Sequence, residues 1–362
     1  MYKHFAIKNF RCFEDLTVEP LERINLIAGK NNVGKTALLE ALWLHHGYHN
    51  PELGLRLRVF RGLDRFRRDE FLWDLFSGLN PEKIIELSSR DQANQTRSLH
   101  ITIREHPTSR VSLRKEHPAE GIRRESLSAD MIEQETTTPI ESEVLLDYTD
   151  SSGKNLQAHA YVEPDGVRFE RPSGVKEPSA IFLPAQQRSK LETLAERFGN
   201  LAVDKKETRI VQILRIVEPR LEELTLQITG GAPVIFGDIG MKRRMPLPLM
   251  GDGMGRLLGL ALAIPEAHNG LLLVDEIENG LHYTVMGEVW RAIAKLAREY
   301  NAQIFAATHS EECIRAAHQA FTADEQYDFA LHRLERVRGL IRAVTYDQET
   351  LEAALETGLE VR

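Results

Sequence analysis

The sequence feature that most constrains the fold is a glycine-containing loop of eight residues near the start of the chain. It follows a short apolar run, Ile24–Ala28, and precedes Lys35–His46, where apolar residues recur at helical spacing. Glycines allow successive backbone amides to point at phosphate oxygens, and the start of a helix adds the positive end of its dipole. The pattern predicts a phosphate-binding loop. The binding residues of this loop and of the helix start that follows it are expected to be Gly29, Lys30, Asn31, Asn32, Val33, Gly34, Lys35, Thr36 and Ala37.

Two residues of this loop carry specific chemistry. Lys35 is expected to neutralise the β- and γ-phosphate charge, and the Thr36 hydroxyl to hold Mg²⁺. The alternative is a chance glycine-rich turn. Composition alone gives such a match in on the order of one chain in a hundred, and the strand-to-helix context reduces that frequency further.

A pair of acids ends a second apolar run. Leu271–Val274 is followed directly by Asp275 and Glu276. Asp275 is predicted to ligate Mg²⁺, and Glu276 to take a proton from the attacking water. The simpler interpretation is two solvated acids at a strand end. The phosphate-binding loop elsewhere in the chain favours the catalytic one.

Five further segments occur in an order that resembles ABC-type ATPases. The likeness is to the heads of SMC and RecF proteins and to the OLD-like AAA family ATPases of bacteria. The segments are 7–13 as a first strand, 182–188 as a Q-loop, 249–254 as a signature motif, 278–282 as a D-loop and 308–310 as an H-loop. Each segment alone has an ordinary explanation as a turn or a strand end, so their joint order carries the resemblance.

The resemblance implies roles for individual residues. Arg11 would approach the nucleotide, and His309 would contact the γ-phosphate. Gln187, or its neighbour Gln186, would touch Mg²⁺ and the attacking water. The signature residues would be Gly251, Asp252 and Gly253, with no serine beside the glycines where the usual motif has one. Backbone amides at this helix start remain able to receive a γ-phosphate from a second subunit.

The expected fold is α/β: an ABC-type P-loop ATPase head with a mixed or parallel sheet lobe, antiparallel β additions and an inserted helical lobe. Residues 1–188 would form the first part of the nucleotide-binding lobe, with a polar insertion at 105–140. Residues 189–265 would form the helical lobe with the signature, and 266–362 would complete the nucleotide lobe. Within these segments, 52–78 and 189–227 are predicted to be helical.

Charge and cysteine content restrict the expected partners and cellular compartment of the protein. The net charge is −8, so a generally basic nucleic-acid surface is disfavoured and DNA contact would need a local patch. Cys12 and Cys313 are the two cysteines, which is typical of a reducing cytoplasm. No apolar run is long enough to span a bilayer and no signal peptide is recognisable, so a cytoplasmic protein without a membrane partner is expected.

Two features of relatives are missing from the sequence. A sustained heptad pattern, which would indicate the long coiled coil of SMC proteins, does not occur. Only 53 residues follow His309, too few for the TOPRIM nuclease domain of full-length OLD proteins. We therefore expect an isolated ATPase whose effector lies on another polypeptide.

An arginine-rich stretch with interleaved aromatics has two interpretations. It contains Arg56, Arg58, Arg61, Arg65, Arg67 and Arg68 beside Phe60, Phe66, Phe71 and Trp73. It is either a phosphate-backbone or partner surface, or an amphipathic helix with arginines reaching solvent. Nearby acids partly neutralise it, which slightly favours the second interpretation.

The resemblance implies an ATP- and Mg²⁺-dependent switch ATPase that acts as an ATP-sandwich homodimer or higher oligomer. It would control a separate, nuclease-like effector in antiviral defence. The alternative is a RecF-like DNA-binding ATPase of repair or recombination. A P-loop kinase or GTPase fits least, because no guanine-reading Asn-Lys-x-Asp sequence is present.

Overall fold

A computed structural model describes residues 1–63, 66–67, 70–107, 124–127, 132–133, 140–163, 166–185 and 191–362. The chain forms two compact units. Unit 1 comprises Met1–Leu21, Asn32–Pro178 and Leu334–Ala343; unit 2 comprises Glu22–Asn31, Ser179–Arg333 and Val344–Arg362. Within the described residues, no helix is long and apolar enough to cross a membrane.

The described residues form a long run of strands, from β5 (Ile85–Asp91) to β12 (Ala180–Leu183), with strands and helices interspersed before and after it. The strands are β1 (Tyr2–Phe10), β2 (Phe13–Val18), β3 (Ile24–Ala28), β4 (Phe66–Arg67), β5 (Ile85–Asp91), β6 (Thr96–Pro107), β7 (Arg124–Leu127), β8 (Ile132–Glu133), β9 (Ile140–Thr149), β10 (Asn155–Glu163), β11 (Gly166–Glu170), β12 (Ala180–Leu183), β13 (Glu223–Thr229), β14 (Ala232–Asp238), β15 (Met245–Pro246), β16 (Leu271–Val274), β17 (Gln303–Ala307), β18 (Phe329–Val337) and β19 (Leu340–Tyr346). The helices are α1 (Lys35–His46), α2 (Leu53–Phe60), α3 (Leu191–Val203), α4 (Glu207–Leu214), α5 (Asp252–Glu266), α6 (Met286–Glu299), α7 (Glu311–Thr322) and α8 (Gln348–Glu356).

Unit 1 is built on an antiparallel sheet of eight strands in the order β2-β1-β5-β6-β9-β10-β11-β7. Most of its strands alternate between buried and partly exposed residues, because one face packs on the core while the other is nearer to solvent. Ile7 of β1, for example, is fully buried and pairs with Leu16 and Leu87, whereas its neighbour Lys8 is exposed. Strand β9 is an exception, with residues 142–146 all buried. Helix α1 lies against β1 and β5.

Unit 2 contains most of a six-stranded sheet in the order β12-β16-β17-β3-β18-β19. The pairs from β12 through to β18 are parallel. Every residue of β3, β16 and β17 is buried, as expected for parallel strands covered on both faces. Between β16 and β17, the amphipathic helix α6 buries Val289, Trp290 and Ile293.

The segment predicted to be helical over 189–227 is helical only in part. Helices α3 and α4 fill its first two thirds, and β13 then begins at Glu223. Strands β13, β14 and β15 form a small antiparallel sheet. The hairpin turn is made by Gly230 and Gly231, with φ of 60° and 85°, values that suit a two-residue turn between antiparallel strands. This turn signal outweighs the helical pattern before it.

The prediction of a helix over 52–78 is also wrong in its second half. Helix α2 ends at Phe60, and Gly62 follows with φ 74°, a conformation that ends helices. Two short 3-10 turns at Trp73–Leu75 and Ser77–Leu79 complete the described part of this stretch. The predicted insertion at 105–140 lies mostly outside the described residues; its described parts belong to strands.

The three segments predicted along the chain do not coincide with the two units. The physical reason is β3, which pairs with β17 and β18 at the centre of the parallel sheet. Residues 22–31 therefore belong to unit 2, although the chain before and after them belongs to unit 1. The assignment of functional lobes to those segments stays a prediction.

Candidate functional site

Polar groups follow three neighbouring strands at one edge of the parallel sheet in unit 2. Strand β3 is followed by residues 29–31, β16 by Asp275 and Glu276, and β17 by Thr308 and His309. Since β16, β17 and β3 are parallel neighbours, their carboxyl ends share an edge, the usual place for ligands in such sheets. The Thr308 amide donates to the Ile27 carbonyl over 3.0 Å. The structure thus gathers three of the predicted groups.

The glycine loop connects β3 to α1 in a conformation that depends on its glycines. Gly29 has φ 141° and Gly34 has φ 95°, both in the region that favours glycine. A Cβ atom at Gly34 would also lie 2.6 Å from Cys12 Sγ and from Phe13 Cζ, so a larger residue would not fit. Helix α1 starts at Lys35, which is 6% exposed.

The two cysteines remain protonated thiols near neutral pH. Burial raises the pKa of Cys313 to about 12 and also raises the pKa of Cys12, although Arg336 and Arg11 act in the opposite direction. Neither residue is therefore activated as a nucleophile. Cys12 is exposed and lies beside Gly34 of the glycine loop.

The acidic pair after β16 is held in a defined arrangement. Asp275 is 8% exposed, whereas the Glu276 side chain is 35% exposed. Asn279 Nδ2 donates to one Glu276 carboxylate oxygen over 2.6 Å, and His309 Nε2 lies 3.4 Å from the other. Glu276 itself has φ 48°, which is uncommon for a residue other than glycine. Both carboxylate oxygens are therefore oriented by neighbours.

The position of His309 depends on Glu278, an acid for which the sequence predicts no individual role. Glu278 Oε1 accepts a hydrogen bond from the His309 backbone amide over 2.8 Å. One residue later, Ser310 caps α7 by accepting from the Cys313 amide. The available sequence signal was the D-loop resemblance of 278–282, which assigned no individual role to Glu278 or Asn279.

The predicted signature glycines pack against the D-loop segment within unit 2. Gly251 precedes α5 with φ 100° and ψ 159°, and Asp252 opens the helix on the surface. A Cβ atom at Gly253 would lie 2.6 Å from the Gly280 carbonyl oxygen, so this contact requires glycine. A cavity of about 520 Å³ adjoins the same helix face.

Arg11 is engaged by carboxylates of unit 1. Its Nε lies 2.6 Å from Glu40, and its Nη1 lies 3.2 Å from Asp74. Arg61 binds Glu40 through two hydrogen bonds of 2.7 and 2.9 Å, and Arg58 pairs with Asp74. Arg58 and Arg61 of the arginine-rich stretch thus make ion pairs inside unit 1. The Arg58 side chain is only 11% exposed, so it does not reach solvent as the amphipathic-helix interpretation expects. The nucleotide contact of Arg11 stays a prediction.

Some predicted residues lie outside the described part of the chain. These are Gln186 and Gln187 of the Q-loop, and Arg65 and Arg68 of the arginine-rich stretch. Their roles stay predictions.

The oxygen donors present suit Mg²⁺ bound together with a phosphate. Among the described residues, no group of three or more His, Cys, Asp or Glu side chains is placed to hold a metal ion. Mg²⁺ is usually held by one or two protein oxygens plus substrate phosphates. The buried carboxylate of Asp275 in unit 2 is a donor of this kind. The metal contact of Thr36 stays a prediction.

A glycine loop, an acidic strand end, a histidine strand end and a glycine-initiated helix on this sheet define an ABC-type P-loop ATPase. The chain belongs to the family described as "AAA domain, putative AbiEii toxin, Type IV TA system", whose model matches residues 24–315. The predicted ATPase class and α/β fold are confirmed.

Individual relatives agree with this placement. The chain is 22% identical over 390 residues to a protein of Helicobacter pylori (strain ATCC 700392 / 26695) named "ATP/GTP phosphatase", covering 98% of each. Over 45 residues it is 51% identical to the DNA replication and repair protein RecF of Pseudoalteromonas translucida (strain TAC 125), which is 12% of each chain.

A solved structure shows the same fold. It is an SMC head bound to the C-winged helix domain of ScpA, with a TM-score of 0.51 and 13% identity. The alignment covers 98% of this chain and 99% of that one. A sequence identity of 13% supports a shared fold and nothing beyond it.

Proposed function

We propose that the chain binds ATP with Mg²⁺ and hydrolyses it at the edge of the parallel sheet. Lys35 and the loop amides hold the phosphates, and Thr36 and Asp275 hold the metal ion. Bound Mg²⁺ would neutralise charge on the phosphate oxygens. Glu276 accepts the proton of the attacking water, and His309 contacts the γ-phosphate.

The observation that carries this proposal is the fixed Glu276 carboxylate. A general base must be oriented toward its proton and reachable by water. Asn279 and His309 orient the two oxygens, while the partial exposure of the side chain leaves room for water. Lys35→Ala tests the binding half of the proposal. It removes the phosphate counter-charge, so nucleotide affinity measured by calorimetry should fall, and normal affinity would contradict the assignment of this loop.

We further propose that two chains sandwich ATP between them. A phosphate-binding loop leaves one side of the γ-phosphate open, and a helix N-terminus is suited to close it. The exposed Gly251 and Asp252 at the start of α5 offer such a surface. ATP would then favour the dimer, and hydrolysis would weaken it by removing the shared γ-phosphate.

Mixing two inactive variants tests the sandwich. Lys35→Ala spoils the loop, and Asp252→Arg spoils the exposed signature without placing a side chain against the Gly280 carbonyl, as a change at Gly253 would. A mixed dimer contains one site with an intact loop and an intact signature. Partial return of ATPase activity supports sharing between subunits. No return, with subunit exchange demonstrated by labelled chains, contradicts it.

The proposed biological role is an ATP-dependent switch over a separate, nuclease-like effector in antiviral defence. Its support is the family placement. Affinity capture from the native host with Glu276→Gln plus ATP, compared with Lys35→Ala, tests the role. A nuclease retained only by the ATP-bound form supports it, and equal capture by both forms opposes it.

The RecF-like alternative rests on the 45-residue match to RecF. It predicts ATP-dependent binding of duplex DNA whose affinity falls steeply with salt. Fluorescence anisotropy with the purified protein separates the two roles, because tight salt-sensitive binding favours the alternative and its absence favours the switch.

A further inference from the structure

We infer that Arg256 is a positioning residue for the catalytic strand end, a role that rests on the proposed function of Glu276 as the base. Arg256 lies in the second turn of α5, the helix that opens with the signature glycines. Its Nη2 donates to the Asp275 carbonyl over 2.6 Å and to the Glu276 carbonyl over 2.9 Å. One guanidinium nitrogen thus holds the backbone of both acids.

The backbone of Glu276 needs such support. With φ 48°, Glu276 occupies a left-handed conformation that persists in non-glycine residues only where the surroundings hold it. The Asn279 amide also donates to the Glu276 carbonyl, over 3.1 Å. Arg256 adds a charged donor, which forms stronger hydrogen bonds than a neutral one.

Burial of the guanidinium also indicates a specific use. Burial lowers the pKa of Arg256, and the neighbouring Asp275, Glu278 and Glu276 oppose that shift. Arg256 Nε is buried without a hydrogen-bond partner among the described residues. A buried cation is costly unless its contacts compensate, and the contacts it does make are to the two catalytic residues.

The cavity beside α5 makes this role testable by chemical rescue. Arg256 lines the cavity of about 520 Å³ together with Gly251, Gly255 and Gly259. A Cβ atom at Gly255 would meet nothing within 4 Å, so this helix face is open. Truncation of Arg256 would leave a guanidinium-shaped space that a free guanidinium ion can enter from the cavity.

The experiment compares Arg256→Ala and Arg256→Met with Arg291→Ala, an exposed arginine of α6. Misplacing a catalytic group by about 1 Å costs on the order of a hundredfold in rate. Both Arg256 variants should therefore lose about that much in kcat, with the affinity for a non-hydrolysable ATP analogue retained and Arg291→Ala unchanged. Millimolar guanidinium chloride should restore part of the kcat of Arg256→Ala.

Arg256→Met keeps the volume of the side-chain stem and guards against a folding defect in the alanine variant. A normal kcat in either folded variant would overturn the inference. A loss of kcat in Arg256→Ala that guanidinium does not relieve would overturn it as well, since a lost donor is replaceable and a general loss of structure is not. Glu276→Gln, assayed in parallel, separates the two proposals. Normal hydrolysis in that variant removes the base assignment itself.

Discussion

The two large sheets of this protein bury their residues in different ways. In the parallel sheet, β3, β16 and β17 are buried at every position. In the antiparallel sheet, β2 and β10 contain buried positions interspersed with exposed or partly exposed ones. A strand covered on both faces has polar groups available only at its ends, whereas a strand with one wet face displays them along its length. The difference explains why the candidate chemistry gathers at one edge of the parallel sheet.

The comparison is sharpened most by a change of one acid in each sheet. Glu276→Gln at the end of β16 should retain ATP binding and slow hydrolysis by about 10²–10⁴-fold, the usual contribution of a general base. Glu86→Gln on the exposed face of β5 is the matched control and should leave hydrolysis unchanged. Single-turnover assays measure both. Similar rates of hydrolysis in the two variants would show that Glu276 at the strand end is not the general base.

The next largest effect is expected from substitutions that compare a fully buried strand position with a solvent-facing one by the free energy of unfolding. Leu272→Ala in β16 removes a fully buried side chain and should lower the free energy of unfolding by about 2–5 kcal/mol. Lys8→Ala on the wet face of β1 should change it by about 0.5 kcal/mol or less. Urea denaturation followed by circular dichroism measures the difference. Equal losses would contradict the burial described for these strands.

Acid should destabilise both units through one buried histidine each. Burial lowers the pKa of His45 in unit 1 and of His332 in unit 2 from the ordinary 6.5 to about 3. Between these values the unfolded chain binds more protons, so stability falls as the pH drops, by up to about 1.4 kcal/mol per pH unit for each histidine. His332→Gln should reduce the slope of unfolding free energy against pH between 6 and 4. An unchanged slope would show that His332 stays protonated in the fold.

The smallest effect is expected on the wet face of the antiparallel sheet. Lys8 and Glu86 face each other across β1 and β5 with 3.5 Å between Nζ and Oε2, and both are about half exposed. A double-mutant cycle to alanine should give a coupling of about 0.2–1 kcal/mol that declines with added salt. A coupling several times larger, insensitive to salt, would mean that this face is covered.

Sequence patterns predicted the parts of the molecule whose physics is local or repetitive. The glycine loop, the apolar runs of β3 and β16 and the start of α1 at Lys35 are all recognisable in the sequence. Parallel pairing then explains why the groups after β3, β16 and β17 share an edge. The hairpin at Gly230 and Gly231 differs from the helical prediction, because the helical pattern that precedes the glycine pair extends past the end of α4.

The supporting residues were harder to predict for a different reason. Glu278, Asn279 and Arg256 act through hydrogen bonds whose partners are 3 to 31 residues away in the chain. No spacing rule specifies those pairings, since they depend on where a loop turns and on which way a helix face points. Nothing in the sequence distinguishes Arg256 from the other arginines, because its role depends on the nearby Asp275 and Glu276 carbonyls.

The contact between Gly253 and the Gly280 carbonyl has a mechanical consequence. With no room for even one added carbon atom between them, the first turn of α5 cannot advance toward the 278–282 segment without pushing it. Asn279, one residue before Gly280, donates to the Glu276 carboxylate. A displacement of the exposed start of α5 would therefore reach the Glu276 carboxylate, the proposed general base, through the 278–282 segment. A molecule that binds to the start of α5 should therefore change the rate of ATP hydrolysis.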